Sequence, residues 1–192
     1  MANLLPITKA DFSTKTWQRY PNYLFSASDS VCALSAQELP KAMLSMPLAF
    51  VQVGEKFVLV AVQSLQTSTN AYLTVDGQWK GNYIPALYRS YPFVLIPNAK
   101  NEDQLVLCVD IDSGLVTESE TDEPFFDESG ELNARLVELM NFLVRLRTSQ
   151  TQAVQICEIL QKFGLIKPWN LEVQLESEIR RTEGLFCIDE PA

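Results

Sequence analysis

The sequence contains no histidine. That absence removes the usual general base and the commonest transition-metal ligand together, and with them any Cys-His or Ser-His-Asp nucleophile built from this chain alone. Glycine is sparse as well. None of the seven residues falls into GxGxxG or a Walker-type GxxxxGKS/T spacing, so no phosphate cradle is encoded, and no GxSxG elbow presents a serine. Positive charge is in short supply: 15 Lys and Arg against 24 Asp and Glu give a formal net charge of -9. The basic pairs Arg145/Arg147 and Arg180/Arg181 are scattered, which argues against a nucleic-acid partner. Long apolar runs are missing too. The richest, Phe57 to Val62, is of strand length and far short of the roughly 20 residues of a membrane helix, so no membrane insertion is expected. The opening Met1 to Pro6 has neither a basic start nor an apolar core, which makes the expected location cytoplasmic. The four cysteines, Cys32, Cys108, Cys157 and Cys187, lie far apart in sequence. Three sit among apolar neighbours and read as free, small hydrophobes rather than a disulfide framework.

What is present fits an ordinary folded chain. The 192 residues, 47% of them hydrophobic, suffice for one domain spanning 1–192. Residues 1–31 read as an extended, aromatic-rich lead-in, 32–130 as mainly β, 131–164 as a helix pair and 165–192 as terminal strands. Ser35-Ala36-Gln37-Glu38 matches a capping box opening a short helix that stops before Pro47. Ala49–Val53 and Phe57–Val62 flank Gly54 as a hairpin. Tyr72–Val75 reads as a strand entering a tight primed turn at Asp76-Gly77. Phe93–Ile96 and Leu105–Asp110 are further strands. Leu132, Leu136, Leu139, Leu143 and Leu146 form a helical stripe. Thr148 or Ser149 can cap a second helix with Ala153, Cys157, Leu160 and Phe163 inward and Gly164 at its end. Leu171–Leu175 and Leu185–Ile188 are expected to pair. Strands, then helices, then strands predict an α+β fold with an antiparallel sheet and a helix pair inserted before the final strands.

Two segments could carry chemistry. The acidic stretch from Glu118 to Glu131 includes Asp127 and Glu128, which could help to hold Mg²⁺ or Ca²⁺. It lacks EF-hand spacing and reads rather as a solvated loop before a helix N-terminus, where negative charge is favourable. No cofactor is expected. The segment Asp76 to Phe93 interleaves aromatics, prolines and one arginine. Pro85 and Pro92 leave room for about one helical turn between them, and Arg89 can stack on an aromatic face while forking onto a carboxylate. This is either a structural corner, with Trp79 and Phe93 in the core, or a binding groove formed by Trp79, Tyr83, Tyr88, Arg89 and Tyr91.

At these residues the sequence resembles the SapC family of bacterial proteins. The likeness is carried by Asp76, Gly77 and Trp79, by Tyr83-Ile84-Pro85-Ala86, by Arg89 and by Tyr91-Pro92-Phe93. It continues at Pro124 to Gly130, at Leu165 to Trp169 and at Glu183 to Asp189. Against the family pattern the sequence has no counterpart of an N-terminal histidine, a C-terminal segment is expected to be absent, and Asp122 stands where a glycine commonly precedes the EPLF turn. The resemblance implies association with surface-layer proteins, with peptide handling or modification conceivable, and it brings no catalytic residue. Together with the missing nucleophile–base pair, this gives a non-enzymatic protein- or peptide-binding factor as the expected function. The alternative is a carboxylate- and Mg²⁺-dependent peptide-modifying enzyme, or an accessory subunit of one.

Overall fold

The computed structural model describes residues 3–98, 101–174 and 179–188. In chain order the strands begin with β1 (Leu4–Pro6), β2 (Thr16–Trp17), β3 (Val31–Ala33), β4 (Leu48–Val53) and β5 (Lys56–Val62). They continue as β6 (Phe93–Asn98), β7 (Asn101–Asp110), β8 (Val116–Thr117) and β9 (Glu123–Pro124). The last are β10 (Ile166–Pro168), β11 (Leu171–Gln174), β12 (Ile179–Thr182) and β13 (Leu185–Ile188). The α-helices among the described residues are α1 (Lys9–Phe12), α2 (Leu39–Ala42), α3 (Ala86–Arg89) and α4 (Ala134–Lys162). Ladders between these strands are antiparallel, and the fold is mixed α+β as expected. The strands are shared among several sheets rather than one. No helix among the described residues is long and apolar enough to cross a membrane.

The chain gathers into two compact units, each discontinuous in sequence. The first combines Met1–Pro21 with Ser90–Leu146, the second Asn22–Arg89 with Arg147–Ala192. In the first unit β7 lies between β1 and β6, and β2 between β8 and β9. The expected extended lead-in is therefore structured: Leu5 pairs with Val109, and Thr8 caps α1 by accepting the Asp11 N–H at 3.3 Å. Phe12, Phe93 and Phe125 fill the core. Phe12 and Phe125 have ring centroids 4.8 Å apart, and Phe93 meets the edge of Trp17 at 5.0 Å.

The second unit is built on the sheet β10-β13-β4-β5-β3. Its β4–β5 hairpin closes where expected, through the two residues between Val53 and Lys56. Gly54 comes first in that loop with φ +61°, the arrangement a primed turn requires and one an L side chain resists. The capping box also forms, as Glu38 Oε2 accepts the Ser35 N–H at 2.9 Å. It opens one short helical turn followed by α2, with Pro40 in the first turn of α2.

Several expectations are corrected. The helix pair is one continuous helix of 29 residues, α4. Ser149 does not cap a second helix, because its buried Oγ accepts the Gln37 N–H at 2.9 Å, and Thr151 Oγ1 donates back to the Arg147 carbonyl at 3.2 Å. The stop at Gly164 is as read. Gly164 has φ +66°, and Leu165 N–H reaches the Leu160 carbonyl while Gly164 N–H reaches that of Gln161, a Schellman closure. Phe163, expected inward, is 70% exposed.

Tyr72–Val75 makes only the isolated bridge Leu73↔Trp79. Gly77 N–H bonds the Thr74 carbonyl and Gly77 alone in that turn takes a positive φ, so the loop is a type I turn with a left-handed glycine rather than a two-residue primed turn. Finally, β13 does not pair with β11. Leu185 and Phe186 enter the sheet against Val51 and Phe50, and β11 turns back on β12 instead. The Phe186 ring lies 4.9 Å from that of Phe57, contacts that favour the sheet centre over a peripheral hairpin. Leu175 and Asp189 lie outside the described residues.

Candidate functional site

The turn at Gly77 returns Trp79 toward Tyr72, and the short helix α3 between Pro85 and Pro92 brings Tyr88 to the same cluster. Trp79 is the hub. It stacks on Tyr72 at 5.5 Å and meets the edges of Tyr23 and Tyr88, each at 5.8 Å. Its indole N–H donates to the Tyr83 carbonyl at 2.8 Å. Tyr88 is buried and packs edge-on against Phe25. Gly81 is where this packing needs a missing side chain. A Cβ there would sit 2.9 Å from Tyr72 Cδ1 and 3.0 Å from Trp79 Nε1. Gly81→Ala is thus expected to destabilise the protein by about 1–3 kcal/mol through overpacking, read as a lower midpoint in urea unfolding. An unchanged midpoint would show that the rings yield freely.

Beneath the rings lies a buried polar network that spacing alone does not announce. Glu38, 5% exposed, receives four donors. Ser35 N–H and Ser35 Oγ–H reach Oε2 at 2.9 and 2.8 Å, and Tyr83 Oη–H and Ala86 N–H reach Oε1 at 2.9 and 2.7 Å. Burial, then the Glu38 charge, raises the Tyr83 pKa above its ordinary value. Tyr88 Oη lies 2.9 Å from both Asp29 Oδ2 and Gln63 Oε1. One phenolic hydrogen serves only one acceptor. With the Gln63 amide turned, its NH₂ donates to the phenol and the phenol to Asp29, which also gives the buried Gln63 nitrogen a partner. Burial foremost pushes the Tyr88 pKa up, and burial takes the neighbouring Cys32 thiol to about 12. A thiol held that far from ionisation is no nucleophile.

The expected groove residues therefore divide. Trp79, Tyr83, Tyr88 and Arg89 come together in the second unit, with Tyr88 buried, Trp79 and Tyr83 half-buried and Arg89 exposed. Arg89 lies 5.8 Å from the Tyr83 ring and donates to its hydroxyl at 3.5 Å, so it reaches the Glu38 carboxylate through that phenol. Tyr91 belongs to the first unit, where its ring stands 6.4 Å from that of Tyr20. The metal candidates are exposed. Asp127 Oδ1 accepts from Ser129 N–H, Ser129 Oγ–H and Glu131 N–H at 2.9, 2.6 and 3.0 Å. The Ser129 hydroxyl foremost holds its carboxyl below the usual range. Among the described residues no group of three or more metal-ligating side chains gathers at Asp127 and Glu128 or elsewhere.

A cavity of about 350 Å³ opens one layer outside the aromatic hub. Pro47, Gln63, Leu65, Tyr72, Trp169 and Leu171 are among the residues that line it. Tyr72 is the link, with one contact on Trp79 and its hydroxyl donated to the Ser45 carbonyl at 3.3 Å. Its ring is thereby fixed in place as a wall. Trp169 follows β10 and is held by its N–H to the Leu185 carbonyl at 2.8 Å. Sequence reasoning missed this pocket, because Tyr72 and Trp169 come to line it together only through the tertiary fold and no local spacing connects them.

Antiparallel sheets, a long helix and an aromatic corner braced on a buried carboxylate define a mixed α+β protein with an aromatic-walled pocket in its second unit. Residues 7–192, nearly the whole chain, match the SapC family, and the protein belongs to that family. Comparison with curated proteins and with solved structures gives no match.

Proposed function

We propose that this SapC-family chain is a non-enzymatic protein- or peptide-binding factor that acts in the handling of surface-layer proteins. The observation that carries the reading is the pocket walled by Pro47, Tyr72, Trp169 and Leu171. Aromatic and proline walls around a mainly apolar space suit a peptide side chain, because rigid rings supply contact area at little entropic cost. The aromatic corner serves this pocket as a backing layer rather than as its mouth, with Trp79 behind Tyr72. The polar groups gathered in the same unit are engaged in holding the corner together, which leaves recognition to shape and apolar contact.

The test is retention of short peptides tiled across surface-layer protein sequences. Wild type should retain a subset, and Trp169→Ala should weaken that subset about tenfold or more, the loss typical of a central aromatic anchor. Equal retention by the two proteins, with the variant folded, would remove the pocket from the function.

A further inference from the structure

A second cavity in the same unit shares no lining residue with the Trp169 pocket. Its volume is about 340 Å³, and it is bounded by β4, β5 and β13 on one side and by the later turns of α4 on the other. The floor is core. Cys157, Ala49 and Ala153 are 1%, 2% and 5% exposed, whereas Ile156 and Ile188 at the rim are 42% and 47% exposed. The lining described carries no charged side chain, and its only side-chain heteroatoms are the sulfurs of Cys157 and Cys187. Burial raises the pKa of the Cys157 thiol, so it presents a neutral, soft surface.

Packed interiors hold few voids larger than a water molecule. An enclosed apolar cavity of roughly 150 Å³ in another protein takes up benzene or xenon; this cleft is larger and open at its rim, which gives such a molecule a way in. A charged or strongly hydrogen-bonding ligand would surrender its hydration here without compensation. We propose that this cavity is a binding site for a small, uncharged, apolar molecule about the size of a two-ring aromatic, seated against Phe50 and the two thiols. The inference is independent of the peptide reading, since the two spaces and their residues are separate.

Naphthalene is the probe, titrated into the intact protein. Saturable binding should raise the melting temperature by several degrees, as any ligand selective for the native state must. It should also slow alkylation of Cys187 by N-ethylmaleimide at least fivefold, followed by mass spectrometry. Ala153→Leu places extra methyl groups in the cavity and should abolish the melting shift while leaving the circular dichroism spectrum unchanged. Should that variant misfold, protection of Cys187 in the wild type decides alone. Two results would overturn the proposal: no saturable shift with no protection in the wild type, or an undiminished shift in folded Ala153→Leu.

Discussion

Replacing Glu38 with alanine is expected to destabilise the second unit by about 3–5 kcal/mol. The side chain is the common acceptor for two backbone N–H groups and two hydroxyls. The hydroxyls can turn elsewhere, but the N–H groups of Ser35 and Ala86 cannot, and each orphaned buried donor costs about 1–3 kcal/mol. Loss of the capping box adds to this. Glu38→Gln separates hydrogen bonding from shape. If its NH₂ faces Ser35, the serine oxygen can accept from it while Oε1 keeps both Tyr83 and Ala86, leaving one N–H unpaired. Its expected cost is about 1–2 kcal/mol. The measurement is urea unfolding followed by tryptophan fluorescence in a Trp17→Phe background, where the remaining reporters, Trp79 and Trp169, both belong to the second unit. A Glu38→Ala loss below about 1 kcal/mol would mean that water or another group takes over the donors.

Phe93→Ala should cost the first unit about 3–5 kcal/mol. Phe93 is 1% exposed and stands between Trp17, at 5.0 Å, and Phe125, at 6.3 Å, with edge geometry to both. Truncation removes the transfer term for a whole ring, leaves a cavity that β6 and β7 cannot collapse without breaking their ladder, and forfeits both aromatic contacts. Phe93→Leu keeps much of the volume and is expected to lose about half as much. Here Trp17 is the reporter, because its own edge contact is the one removed. A Phe93→Ala variant as stable as wild type would show that the neighbouring rings close the space.

These effects indicate which parts of the structure were legible in the sequence. Gly54 and its flanking β-branched residues encode their hairpin locally, as do Ser35 and Glu38 their cap and Gly164 its helix end. The α3 turn between two prolines was local in the same way. Ser149 misled because serine is as suited to receiving a distant N–H as to capping, and the Gln37 N–H that it accepts lies on a remote segment. The pairing of β13 with β4 follows from what Phe186 meets across the sheet, which alternation within β13 does not specify. The site shows the same division. Trp79, Tyr83, Tyr88 and Arg89 sit close enough in sequence to be read as a cluster, and they do assemble. Their supports, Asp29, Glu38 and Gln63, and the Tyr72–Trp169 wall come together only through tertiary folding.

Neither unit is a continuous stretch of chain, and this sets a timetable for synthesis. A nascent chain extruded from the ribosome as far as Arg89 has made only the opening pieces of both units. The first can be completed only when the residues up to Leu146 have emerged, and the second waits for β13 to take its place beside β4. An N-terminal domain usually folds before the next is begun, whereas here the first unit is completed only after a long piece of the second has already emerged. Until then Phe12 lacks Phe125 and the hairpin of β4 and β5 lacks a neighbour on its β4 side, leaving an apolar surface and an open edge strand for a chaperone to shield.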